Sequence, residues 1–255
     1  MKKKKSLFGL FGLILLTTFG CTDDKDLDFI TYESNAKLKR TSMYSSADDK
    51  IPIAIIDEYE YDNQNRISKV SSPMYDNGNI VGTVKYDLYE YNSLGQLITI
   101  SNFNANTGSP TGYINLMNYR YTYSANGQKE KQLIEYPQIN SFEYTMYSYR
   151  DNKLVKAEKY NSKNELQDNT IYKYNGDRLV KETWYSSTGS VNRITNHIYT
   201  NGLNTKTEIF GDSEVEEIRE IKKTYDSNYN LIMIESKELA PWSSAISYVM
   251  KYEYY

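Results

Sequence analysis

The chain has 255 residues, a formal net charge of −3, and 27 tyrosines against one histidine and one cysteine. So few His and Cys leave little material for a metal centre or a redox pair, and no cofactor is expected. Four of the positive charges, Lys2 to Lys5, lie in a segment expected to be removed, which takes the balance from −3 to −7. With no segregated basic face, that balance argues against nucleic acid as a partner.

The chain opens on a basic run, Met1 to Lys5, followed by an apolar run of about ten residues, Leu7 to Leu16, too short to span a bilayer. Thr17-Thr18-Phe19-Gly20-Cys21 comes next. This order resembles a bacterial lipoprotein signal, in which a small residue precedes the cysteine that is lipidated and becomes the new N-terminus. Residues 1–20 are therefore expected to be the signal and Cys21 the lipid anchor, the only contact with a membrane. Residues 21–35 form an acidic tether, with Asp23, Asp24 and Asp26 at its start. The acidic patch resembles the export signal that sends Bacteroidetes lipoproteins to the outer face of the outer membrane. A solvated linker reads equally well from the charges alone.

From residue 36 onward one unit recurs: two alternating tyrosines, a short polar turn, then a basic residue and an aliphatic one. Tyr59-Glu60-Tyr61, Tyr89-Glu90-Tyr91, Tyr121-Thr122-Tyr123, Tyr147-Ser148-Tyr149, Tyr172-Lys173-Tyr174 and Tyr252-Glu253-Tyr254 are intact copies. His197-Ile198-Tyr199 and Lys223-Thr224-Tyr225 are degenerate, and successive copies lie 25 to 32 residues apart. Such a period marks one supersecondary unit per copy. Residues two apart in a strand share a face, so each copy reads as a β-hairpin with its tyrosines on one side. Asn65, Gly95, Gly127, Asn152, Asp177 and Gly202 end the tight turns and tolerate φ > 0, with Asn228 the candidate in the last hairpin. Return strands are expected near Ile67, Leu97, Leu133, Leu154, Leu179 and Leu231, with longer loops such as 104–110, 137–140, 161–164 and 186–189 at the opposite rim.

The two ends complement each other. Ala36 to Tyr44 looks like the second half of a unit, and Ala245 to Tyr255 like a first half without its return strand. Pairing these halves would remove both exposed edges. The expected fold is all-β: an antiparallel up-and-down meander of about sixteen strands, closed into a wide water-soluble barrel over residues 36–255. An open spiral or a flattened sheet is the alternative.

The unit resembles the YD repeat of Rhs-type bacterial proteins, best seen in Tyr59 to Ile67, Tyr147 to Leu154 and Tyr172 to Leu179. A lipoprotein signal followed by about eight such units also resembles uncharacterised Bacteroidetes secreted domains with a porin-like fold. The resemblance implies a hairpin-repeat β-sheet and carries no catalytic motif.

Opposite the tyrosines stand Glu58, Glu60, Arg120, Lys251 and Glu253, charges that cost about 2–4 kcal/mol each near a bilayer midplane. A lipid-facing barrel is therefore not expected. Asp57, Asp87, Asn115, Glu143 and Thr145 are expected on the tyrosine side. A Ser-His-Asp site would have to use His197, which stands where the repeat wants a tyrosine. Asp62 to Asn65 and Asp226 to Asn228 hold oxygens that suit calcium, and equally suit turns in which Asp and Asn bond their own backbone. Trp184, Trp242 and Tyr75, on or near the long loops, are the candidate ligand contacts, with Asp57 and Asp87 on the tyrosine face. The expected function is that of a non-enzymatic surface lipoprotein binding a glycan or other polymer, or else a structural or protein-interaction module of the envelope.

Overall fold

The computed structural model describes residues 36–76, 79–106, 108–212, 217–239 and 247–255. Cys21, the signal, the tether and Trp242 lie outside the described residues. Sixteen antiparallel strands form one closed barrel in which each strand pairs with its neighbours in sequence. They are β1 Leu38–Tyr44, β2 Ala54–Tyr61, β3 Ile67–Asp76, β4 Asn79–Tyr91, β5 Leu97–Ala105 and β6 Tyr113–Tyr123. Next come β7 Lys129–Tyr136, β8 Ser141–Arg150, β9 Lys153–Asn161, β10 Leu166–Asn175 and β11 Arg178–Ser186. The circuit ends with β12 Val191–Thr200, β13 Leu203–Phe210, β14 Glu217–Tyr225, β15 Leu231–Glu238 and β16 Tyr248–Tyr254. The two half-units do meet: β1 pairs with β16, from Leu38 opposite Tyr254 to Tyr44 opposite Val249. Among the described strands none is left as an edge.

One distortion recurs in every hairpin. The register shifts by one residue immediately before the second tyrosine, at Glu60/Tyr61, Glu90/Tyr91, Thr122/Tyr123, Ser148/Tyr149, Lys173/Tyr174, Ile198/Tyr199 and Thr224/Tyr225. The extra residue lies in the return strand, as with Ser68 between Ile67 and Lys69. Such bulges bend a strand and raise its twist, and seven in one ring curve the sheet toward closure.

The turns follow their side chains. Asp62 accepts hydrogen bonds from the backbone N–H groups of Gln64 and Arg66, at 2.8 and 2.9 Å, and Asn92 and Asp226 repeat the arrangement. The left-handed position of these turns falls on Asn65, Gly95, Gly127 and, in the last hairpin, Tyr229 at φ 64°. The expectation for Asn228 is thus displaced by one, because the four-residue turn opened by Asp226 closes with a Tyr229 N–H bond to the Asp226 carbonyl. In the two-residue turn of β10–β11, Gly176 rather than Asp177 takes positive φ. The opposite rim is tighter than its sequence suggested. Asn161 and Ser186 open turns of the same hydrogen-bonding pattern as Asp62, so those connections are not long loops.

The tyrosine face is the interior. Tyr59, Tyr89, Tyr119 and Tyr252 are buried, while the alternating Glu60, Glu90 and Arg120 are exposed. Along the arc from β15 through β1 to β7, the interior is packed with Leu38, Val70, Ile100, Ile134, Leu231, Ile234 and Met250 around those tyrosines. Asn115 departs from expectation and faces outward. A register shift at Leu116 reverses its side, and its Nδ2 donates to Oδ1 of Asn118 on the outer wall. Burial, not strand propensity, then decides which face is core.

Candidate functional site

The other arc of the interior, β8 to β14, is built differently. Glu143 Oε1 pairs with Lys159 Nζ at 3.1 Å and also accepts the hydroxyl of Tyr136. Lys159 stands opposite Asp168, and Asp168 opposite Ser186. Further along the arc Trp184 stands opposite Thr170 and Arg193, with the Arg193 guanidinium 5.6 Å from its ring centroid. Arg219 donates to Glu238 through Nη2 at 2.8 Å. Inward-facing charges of both signs, next to an aromatic ring, make this wall amphoteric rather than apolar.

Trp184, one of the sequence candidates, is therefore in the interior and half-buried. Its indole Nε1 makes no hydrogen bond among the described residues. A buried donor without a partner is uncommon. Asp57 and Asp87 also face inward, deeper in the packed arc, where both are buried. Asp57 accepts a hydrogen bond from Ser72 at 2.8 Å and Asp87 from Asn102 at 2.6 Å. The structure does not bring Trp184 and the two aspartates together, since they sit on opposite arcs. Tyr75 lies in β3 opposite Ile80.

His197 takes the inward position of a first tyrosine and is buried. Its Nε2 lies 2.6 Å from Oε1 of Glu182, and its Nδ1 lies 3.2 Å from Nδ2 of Asn204. The amide nitrogen can only donate, so Nδ1 accepts and the Nε2 proton points to the carboxylate. Both ring nitrogens are thereby engaged in tying β12 to β11 and β13.

Beside the tight turns, the second tyrosine of five units performs a common task. Hydroxyls of Tyr61, Tyr91, Tyr123, Tyr225 and Tyr254 donate to the carbonyls of Leu38, Ile67, Leu97, Asn204 and Leu231, at 2.7–2.9 Å. Each bond joins two strands whose only covalent connection is at the far rim, beyond the point where their backbone ladder ends. The rings form a girdle in which Tyr174, for instance, feels Tyr149 and Tyr199 on either side. Burial pushes the hydroxyls of Tyr61, Tyr91, Tyr174 and Tyr254 up to about 12.

Lys129 belongs to the interior as well, although the sequence places the start of the third return strand near Leu133; β7 starts at Lys129, opposite Tyr123. Aligning the residue opposite each second tyrosine would have found it. On the outer wall, a cleft of about 320 Å³ lies between β1 and β4 beside Tyr255. Its charged walls are paired to each other, Arg40 to Glu58 at 2.7 Å and Lys69 to Glu60 at 3.1 Å.

No protein-family model matches the chain, and no curated protein matches it. Among solved structures, a porin-like protein from Bacteroides uniformis is similar at 9% identity, over 86% of this chain and 96% of that one, with a TM-score of 0.41. A porin-like protein from Bacteroides vulgatus is similar at 11% identity, over 87% and 99%, with a TM-score of 0.41. The TcdB2-TccC3 chain is similar at 17% identity over 78% of this chain, which spans 11% of its length, with a TM-score of 0.30. These likenesses are of outline only; the strand order and register above come from this chain alone.

Proposed function

We propose that this protein is a non-enzymatic outer-membrane lipoprotein, displayed on the cell surface through Cys21, whose barrel interior binds a glycan or similar polymer. The observation that carries the reading is the β8–β14 wall, where Trp184, with its indole N–H unbonded, stands beside Arg193 in an interior of mixed charge. Sugars suit such a surface: their C–H faces stack on an aromatic ring while their hydroxyls bond to carboxylates, amides and guanidinium groups.

Exposure of the outer wall supports an anchor rather than an inserted barrel. Glu60, Arg120 and Glu253 leave 61%, 55% and 51% of their side-chain surface open, positions that lipid would penalise. Glycan-array binding by the purified protein, lost on Trp184→Ala with the barrel still folded, is the expected result. Binding unchanged by that substitution sinks the lumen as the site. Cys21→Ala is expected to release soluble, folded protein; a variant that still fractionates as an integral membrane protein overturns the anchor.

A structural or protein-interaction module of the envelope, with no small-molecule ligand, is the second reading. The tyrosine hydroxyl bonds favour it, because they give the repeated residue a purely architectural use.

A further inference from the structure

Lys129 breaks the rule of the repeat. The residue opposite the second tyrosine is Ile67, Leu97, Leu154, Leu179, Asn204 or Leu231 in the other six hairpins. In β6–β7 it is a lysine, opposite Tyr123. Its ammonium lies 4.4 Å from the ring centroid of Tyr121 and 5.6 Å from that of Tyr147. Both rings face inward, so the charge is directed at the interior and not at bulk solvent.

Lysines elsewhere in the barrel are treated otherwise. Lys153, Lys156, Lys159 and Lys206 each meet a carboxylate within 3.1 Å. Among the described residues no Asp or Glu forms an ion pair with Lys129. Burial alone holds its pKa down, to about 8, and no neighbouring charge opposes that shift. Ring faces attract a cation but carry no net charge, so they leave its charge uncompensated. A leucine, as in four of the sister hairpins, would fill the place without taking a charge out of water. Where a chain breaks its own local rule at a cost to stability, function is the usual reason. The residue as a whole is half-buried.

We propose that Lys129 is the anion-recognising residue of the barrel interior, and that the ligand is an acidic glycan whose carboxylate pairs with its ammonium between Tyr121 and Tyr147. This rests on the reading above that the interior takes a glycan. Ammonium-to-carboxylate hydrogen bonds are the stronger kind, and in a site partly withdrawn from water they discriminate well against a neutral analogue.

The test is calorimetric titration of the purified full-length protein with a galacturonic acid oligomer and with the same oligomer after its carboxyl groups are reduced to alcohols. Wild type is expected to bind the acidic oligomer about tenfold or more tightly than the reduced one, the margin that one charge-assisted bond supplies. Lys129→Leu and Lys129→Met, the second keeping the length of the stem, are expected to bind the two oligomers alike. A preference that survives in either folded variant overturns the assignment to Lys129. Equal binding of both oligomers by wild type overturns acidic recognition and leaves the glycan reading standing. Binding of neither overturns both.

Discussion

The hydroxyl of Tyr91 donates to the carbonyl of Ile67 at 2.8 Å, across 24 residues of sequence. The β3–β4 ladder ends at Lys69 opposite Leu88, and these two strands are connected only at the other rim. Without the bond their ends would be free to part. It explains why the second position of the unit holds tyrosine: a phenylalanine would pack as well but would leave the carbonyl unanswered.

Tyr91→Phe is therefore expected to destabilise the barrel by about 0.5–1.5 kcal/mol, the net worth of one such bond. Tyr61→Phe and Tyr123→Phe should behave alike. Urea denaturation measures each. A neutral outcome at Tyr61, Tyr91 and Tyr123 would mean that ring packing alone retains the residue.

The same tyrosines set an alkaline limit. Tyr61, Tyr91, Tyr174 and Tyr254 titrate near 12 in the folded protein, mainly through burial, against 10.0 for the free side chain. Their folded pKa values lie above the unfolded ones, so between pH 10 and 12 the unfolded chain has released protons that the barrel still holds. Stability is whole below pH 10 and falls as pH rises through that window. Tyrosinate absorbance at alkaline pH should rise together with loss of β-sheet circular dichroism. Ionisation of every tyrosine by about pH 11, where unshifted hydroxyls are nearly all ionised, with the sheet intact, is the contrary result.

Lys129 bears the opposite sign. Its folded pKa of about 8 lies below the 10.5 of the free amine. From pH 10.5 down to about 8 the unfolded chain takes up a proton that the barrel resists, so stability is lost across that window and the penalty is complete below it. Lys129→Leu is expected to be more stable than wild type at pH 7, with the advantage vanishing near pH 10.5. Thermal melts of both proteins across that range decide it. A variant less stable at every pH would show that the lysine stem, not its charge, dominates the site.

Removing 247–255 deletes β16 and turns β1 into an edge. In a closed sheet this should unfasten residues distant in sequence, unlike the local loss expected of a nearest-neighbour array. Hydrogen exchange at Leu38 to Met43 is expected to accelerate along with the last hairpin. Retained protection at those amides would mean that β1 draws its stability from β2 alone.

The hairpins and the closure were legible in the sequence because two signals agreed there. Tyrosines two apart marked a face, and the half-units at Ala36 to Tyr44 and 245–255 required each other. What escaped was set by single-residue register shifts, which no alternation pattern records. The shift at Leu116 turned Asn115 outward, and the turn opened by Asp226 passed the left-handed position to Tyr229. The candidate site was less legible. Trp184 stood out by residue type, but its neighbours Arg193, Lys159 and Asp168 are brought to one wall only by the stagger of strands around the barrel. Lys129 was overlooked because a lysine after a turn looks like an ordinary solvated residue until its pairing with Tyr123 is known.

Leu38 faces Tyr254, and the backbone N–H of Tyr255 donates to the carbonyl of Lys37 at 2.9 Å. The chain thus enters and leaves the barrel at one rim, the rim of the tight turns and the tyrosine girdle. A barrel suspended by the residues before Ala36 consequently has a front and a back. Its girdled rim would face the support, and the rim bearing the β1–β2 and β5–β6 connections would face the surroundings.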